Sequence, residues 1–235
     1  MKHTLCLSFL LVCASLTAQP DSKPQIPAKD PGFLTNLTGE VYIEYRGYRG
    51  NQYYLNDWVK SDILLTTGEM IYDRELKYNG LLDEVIWLNT AIPGLFKLDK
   101  ATISDFWLKN TPDNSLHFRR ININESTNSH QADIFAEVGV EGKISFFIHH
   151  KVSILEEQTI TRDGKLYPYK IIGPTPTYYL KINSGRYILL PRLNRKSLLK
   201  LFPDQKKDIV KLQKQNHINL KTESGFCEMI ILLNK

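Results

Sequence analysis

From about residue 38 the chain alternates apolar and polar side chains with a period of two. Val41, Ile43 and Tyr45 take turns with Tyr42, Glu44 and Arg46. An extended chain sends successive side chains to opposite faces, so this alternation predicts strands with one buried face. Further runs of the same kind lie at 62–66, 70–78, 82–88, 94–98, 102–108, 116–123, 132–140, 143–154, 167–172, 177–182 and 186–190. Turn formers stand between them, among them Thr67-Gly68, Asn79-Gly80, Pro112-Asp113-Asn114, Glu141-Gly142, Asp163-Gly164 and Ser184-Gly185. No helix-length insert separates the runs, which predicts antiparallel hairpins and meanders rather than βαβ units.

The pattern changes near Pro191. Residues Lys196 to Leu201 suit a short helix, and Pro203 suits the first position of a second one reaching about Gln215, with Asn216 as a left-handed stop. Ile218 and Leu220 suggest a brief extended piece. A last helix is expected over Glu223 to Leu233, where Phe226, Met229, Ile230 and Leu233 repeat at i, i+3, i+4 and i+7. The expected fold class is mainly β (α+β): an antiparallel β-sandwich or strongly curved meander sheet, with C-terminal helices packed against it. Its parts are a signal peptide at 1–18, a Pro-rich linker at 19–37, the β domain at 38–190 and the helical segment at 191–235.

The signal peptide follows from the first residues. Met1, Lys2 and His3 give a short positive start, and Leu5 to Leu16 carries no charge. That run is shorter than the ~20 residues a spanning helix needs, so no transmembrane anchor is expected. Cleavage near Ala18 leaves an exported protein that is periplasmic, outer-membrane-associated or secreted. A lipoprotein signal would use Cys13, but Val12 is bulkier than the small residue such a signal requires. Cleavage also removes Cys6 and Cys13, so Cys227 remains alone and the domain must hold without internal disulfides.

Of the 235 residues, 42% are hydrophobic and 11% aromatic, enough for a packed core and too many for a disordered chain. The formal net charge is +5, and most of the excess is local. Between Arg192 and Lys221 nine Lys or Arg stand against two acids, Asp204 and Asp208. Apart from Phe202 that segment lacks the interleaved aromatics that stack nucleobases, so nucleic acid is not an expected partner. A solvated helix face is the simpler reading, and contact with an anionic surface is the other.

Several strings resemble a family of exported proteins of Bacteroidetes-type bacteria to which no activity is assigned. They are Leu64-Leu65-Thr66-Thr67-Gly68-Glu69, Leu76-Lys77-Tyr78-Asn79 with Asp83-Glu84, Phe135-Ala136-Glu137-Val138 with Glu141-Gly142-Lys143, Tyr178-Tyr179, and Lys196-Ser197-Leu198-Leu199 before Phe202-Pro203-Asp204. The resemblance spans most of residues 40–233. It implies a bacterial envelope or extracellular setting and no particular reaction.

Candidate chemistry is sparse. Asp83 and Glu84 adjoin a turn, and Glu137 and Glu141 flank another, so a carboxylate pair for glycoside hydrolysis is conceivable only between distant strands, because neighbours on a strand face opposite ways. The same rule separates His149 from His150: one ring packed and one exposed is expected, and no metal site or cofactor. Nucleophile elbows, phosphate loops and dinucleotide fingerprints do not occur in the sequence. The most distinctive feature is aromatic. Tyr42, Tyr45, Tyr48, Tyr53, Tyr54 and Trp58 crowd one segment, with Arg46, Arg49 and Asn51 among them, and Tyr72 and Tyr78 follow. Tyrosine offers an apolar body with a polar tip, which suits a carbohydrate, a peptide or a partner surface, although strands are rich in aromatics on packing grounds alone. The expected function is a non-enzymatic envelope or extracellular binding or structural module with a protein, glycan or lipid partner. The alternatives are a carrier of an apolar, lipid-like ligand between sheet and helices, and a glycan-active hydrolase.

Overall fold

The computed structural model describes residues 37–45, 47–111, 114–123 and 132–235. The expected signal peptide, all of the linker but its last residue, and Arg46 lie outside them. The strands are β1 (Gly39–Val41), β2 (Tyr48–Arg49), β3 (Val59–Leu65), β4 (Met70–Asn79), β5 (Glu84–Asn89), β6 (Gly94–Leu98), β7 (Ile103–Thr111), β8 (Asn114–Asn122), β9 (Asp133–Val140), β10 (Ile144–His149), β11 (Val152–Arg162), β12 (Lys165–Pro174), β13 (Thr177–Ile182) and β14 (Tyr187–Leu190). The helices α1 (Arg195–Leu201), α2 (Lys206–Gln215) and α3 (Glu223–Leu233) close the chain. The protein is thus mostly β, with three helices near its C-terminus.

Eleven strands form one antiparallel sheet in the order β1-β6-β5-β4-β3-β7-β8-β9-β10-β13-β14, which does not close into a barrel. A second sheet has the order β11-β12-β2, with β2 running parallel to β12. The β11–β12 hairpin turns on Asp163 and Gly164, both at positive φ (49° and 71°), as a two-residue turn matched to strand twist requires.

The single run expected at 143–154 is two strands. After His149 the chain leaves the large sheet: the amide of Val152 donates to the carbonyl of Gly80 (2.9 Å), and that of Thr175 donates to the carbonyl of Lys151 (2.8 Å). Apolar alternation continues across the break, but only Val152 of β11 is buried as the whole of β10 is; Ile154, two residues on in the second sheet, is 44% exposed. The first expected strand is also shorter than its alternation. Only Gly39–Val41 pairs, against β6, and Val41, Ile43 and Tyr45 are 70%, 85% and 57% exposed. The following chain crosses back over the end of β4, where the Tyr54 amide donates to the Tyr78 carbonyl (3.0 Å) and the Gly80 amide to the Gln52 carbonyl (2.8 Å). That path turns the polar set, Tyr42 and Glu44, toward the protein.

Two large apolar clusters, with a smaller one of Ile121, Ala136, Phe147 and Tyr179, hold the fold. Under β3 to β9, Tyr78, Phe106, Phe118 and Phe135 are buried together, with the rings of Phe106 and Phe118 stacked at 4.8 Å. At the other end, Phe146, Leu180 and Leu190 of the sheet pack with Leu198, Ile209, Phe226, Met229 and Ile230 of the helices. Each such side chain contributes about 1.5–3 kcal/mol through removal from water. The periodic stripe of α3 buries as expected, apart from Leu233, which is half-buried. The helix starts at Thr222, whose hydroxyl accepts from the Gly225 amide (3.2 Å), and a side chain on Gly225 would meet the Asn219 carbonyl oxygen at 2.2 Å. Pro203 opens a 3-10 turn over Pro203–Gln205 that leads into α2. The left-handed residue after α2 is His217 (φ 53°), one beyond the expected Asn216, whose side chain instead donates back to the Leu212 carbonyl (3.0 Å).

On the opposite face of the sheet, Asp105 is buried and accepts from His117 (2.7 Å), Arg119 (2.8 Å) and Ser104 (2.6 Å). Burial alone would raise its pKa; these hydrogen bonds outweigh it and bring the pKa down to about 2.

Candidate functional site

The site is built where the segment after β1 crosses the end of β4. Tyr45, Tyr48, Tyr53, Glu44, Asn51 and Gln52 line an open pocket of about 400 Å³. The rings of Tyr45 and Tyr48 meet edge to face at 4.8 Å, an arrangement that fixes both planes. Gly50, at φ 118°, makes the turn between strand and pocket, and a side chain there would meet the Ile172 carbonyl oxygen at 2.3 Å.

A hydrogen-bond chain ties the pocket to the core. Glu44 accepts from the Tyr53 hydroxyl (2.8 Å) and from the Gln52 amide (3.2 Å), and the Tyr42 and Tyr53 hydroxyls lie 3.5 Å apart. Asn79, fully buried at the end of β4, donates to the Tyr42 hydroxyl (3.1 Å) and to the Gln52 side-chain oxygen (3.2 Å). Its own oxygen accepts from the amides of Leu81 (3.0 Å) and Leu82 (3.2 Å). One asparagine thereby fixes both the turn after β4 and the back wall of the pocket. Burial, with the hydrogen bonds to Tyr42 and Glu44, pushes the Tyr53 hydroxyl well above its ordinary pKa, so it is a neutral donor throughout the physiological range.

The remaining expected site residues go elsewhere. Tyr54 turns inward, its ring 4.1 Å from His150 and 5.6 Å from Phe118. Trp58 shares the Lys77 ammonium with Tyr53, at 5.0 Å from each ring. Arg49 lies over the Tyr169 ring at 4.0 Å, so it joins the pocket segment to β12. Arg46 lies outside the described residues. Sequence reasoning named the tyrosines and Asn51 and missed Glu44, Gln52 and Asn79. Asn79 was legible only as half of an Asn-Gly turn, and a buried asparagine side chain with four partners leaves no pattern in a single sequence.

Of the candidate catalytic groups, Asp83 and Glu137 are engaged in the interior, while Glu141 is exposed and paired with Arg119 at 2.7 Å. Asp83 takes the Tyr78 hydroxyl (2.6 Å), the Phe135 amide (3.2 Å) and the Lys100 ammonium (2.6 Å). Glu137 lies 2.5 Å from the His150 ring nitrogen. His149 and His150 are both largely shielded from water, a correction to the expectation of one exposed ring: the chain bends out of the sheet at this point and covers His150 with Tyr54. Burial first, and then nearby lysines and His150 against the attraction of Asp83, lower the pKa of His149 and keep it neutral. Glu84 faces away from Asp83, into a surface groove of about 480 Å³ beside Lys97 and Glu40. Its pKa is raised by burial, against the pull of Lys97 at 3.4 Å. Among the described residues no three His, Cys, Asp or Glu side chains gather as metal ligands, and no helix is long and apolar enough to cross a membrane. No family model, curated protein or solved structure matches this chain.

Proposed function

We propose that this protein is an exported, non-enzymatic binding module of a bacterial cell envelope or its exterior, and that it holds a glycan in the pocket of Tyr45, Tyr48 and Tyr53. One observation carries the reading: three tyrosine rings line an open pocket whose remaining wall is Glu44, Asn51 and Gln52, anchored to a buried asparagine. Sugars present apolar C–H faces that lie on aromatic rings and hydroxyls that need donors and acceptors, and the pocket supplies both on a braced frame. Export and membership of the Bacteroidetes-type family remain part of this proposal. They are supported by the charged start, the apolar run to Leu16 and the shared strings in the sequence.

For the architecture we propose a strongly curved sheet rather than a sandwich. Support comes from the register, which puts Phe118, Glu137 and Ile148 on one face and so places both large apolar clusters on the same side. The carrier reading has less support, because side chains of Phe146, Leu180, Phe226 and Met229 fill the space between β10, β13 and α3. The hydrolase reading also has less support, because Lys97 lies 2.5 Å from Glu40 and 3.4 Å from Glu84, between the two carboxylates of the open groove.

Calorimetric titration with a panel of soluble oligosaccharides, including chitin and peptidoglycan fragments, tests the function. Binding that falls at least about tenfold in Tyr45→Ala and Tyr53→Ala, and is unchanged in Tyr72→Ala outside the pocket, is the expected result. Binding unaltered by the pocket substitutions, or heat released by product formation, overturns it.

A further inference from the structure

The strongest feature that the tyrosine pocket leaves unused is at the opposite end of the chain. The last edge strand, β14, and helix α1 enclose a second groove of about 480 Å³. Its apolar part is formed by Ile188, Leu189, Pro191 and Leu201, and Leu189 is 57% exposed. Arg192, Lys196 and Lys200 stand on its rim, the two lysines one helical turn apart. They belong to the set of nine exposed Lys and Arg between Arg192 and Lys221, which faces only Asp204 and Asp208 in that segment. None of the ion pairs among the described residues involves any of the nine.

A cluster of like charges without counter-charges raises the free energy of the fold through self-repulsion, and an anionic partner relieves it. The apolar floor decides which anion. Nucleic acid would need aromatic platforms, and the groove lining has none, whereas an exposed leucine beside the half-buried Ile188 and Leu201, with cations at the rim, matches the boundary between lipid headgroups and acyl chains. Lysine and arginine there keep their charge at the phosphates while their stems lie along apolar surface. We propose that the β14–α1 groove and the basic faces of α1 and α2 dock this protein on an anionic lipid bilayer, with Leu189 entering the acyl boundary and Arg192, Lys196 and Lys200 on the lipid phosphates. The contact is peripheral and reversible, and it leaves the tyrosine pocket, built on the β1–β2 segment, to its own ligand.

Vesicle flotation of the full chain tests the proposal, with vesicles of equal parts phosphatidylglycerol and phosphatidylcholine set against phosphatidylcholine alone. Stronger binding to the anionic vesicles, weakened by salt, is expected. Lys196→Gln with Lys200→Gln should lower that binding at least about tenfold, since each cation near an anionic surface contributes a factor of about five. Leu189→Ser, at unchanged charge, should lower it several-fold, and Lys207→Gln with Lys211→Gln on α2 should act less than the α1 pair. All these side chains are exposed, so unchanged circular dichroism is expected for every variant. Equal binding to both vesicle types, equal losses from the α1 and α2 pairs, or protection of Lys196 and Lys200 from acylation by an oligonucleotide but not by anionic vesicles overturns the proposal. Protection by inorganic phosphate as complete as by vesicles assigns the rim to a soluble anion and also overturns it.

Discussion

Replacing Asn79 by alanine removes the group that joins the pocket to the core. Its nitrogen donates to Tyr42 and to Gln52, its oxygen accepts from two backbone amides, and the residue is fully buried. A net intramolecular hydrogen bond contributes about 1 kcal/mol, and a buried partner left unsatisfied costs about 1–3 kcal/mol. Leu82 is 48% exposed, so its freed amide can turn to water, while the Gln52 oxygen, in a residue 8% exposed, cannot do so readily. The expected loss is about 3 kcal/mol, which for a domain of this size lowers the thermal midpoint by roughly 6–12 °C. Circular dichroism melts of Asn79→Ala, Gln52→Ala and the double variant measure it. The two side chains should couple by at least about 0.5 kcal/mol, because they share one hydrogen bond. A fall under about 1 kcal/mol in Asn79→Ala, or strict additivity in the double variant, refutes the claim that this asparagine braces the pocket.

Four further outcomes follow from the packing and the charges. The folded-state pKa of Asp105 is about 2, below the ~4 of an unfolded aspartate, so its stabilisation of about 2 kcal/mol is present above pH ~4 and is lost as the pH falls toward 2. Urea melts of Asp105→Asn should therefore show less loss of stability over that window than the parent, and an unchanged pH profile contradicts the assignment. Phe226→Ala should cost about 3–5 kcal/mol in the same melts, since the ring is fully buried where α3 packs on Phe146 of β10. Gly225→Ala should cost about 1–3 kcal/mol, because its new methyl group meets the Asn219 carbonyl oxygen at 2.2 Å and the backbone must shift. Burial first, with Glu137 and Glu223, pushes the Cys227 thiol up to about 11, so iodoacetamide at pH 8 should label it far more slowly in the folded protein than in urea.

Strands such as β3 were legible because they bury alternate side chains against one layer, which is what a period of two records. Met70–Asn79 and Thr177–Ile182 fall within a residue of their apolar runs. The helical C-terminus was legible for the same reason at the other period, with Phe226, Met229 and Ile230 inside as their spacing requires. What escaped was anything decided by a change of layer. The run through His149 and Val152 kept its alternation while the chain passed from one sheet to the other, and Val41, Ile43 and Tyr45 kept theirs while facing water. Binary pattern reports that a side chain alternates, not what lies opposite. At the candidate site the tyrosines stood out by composition. Their sorting into a pocket trio, an inward Tyr54 and a lysine-sharing Trp58 depends on long-range contacts to Asn79, His150 and Lys77.

Tyrosine ring resonances, followed by NMR during titration with the oligosaccharide that binds most tightly, test the glycan pocket most directly. Shifts confined to Tyr45, Tyr48 and Tyr53, with smaller ones at Tyr42 behind them, are the predicted result. Shifts centred on Tyr169 or Tyr187, or saturating binding that leaves the three pocket rings unmoved, would contradict it.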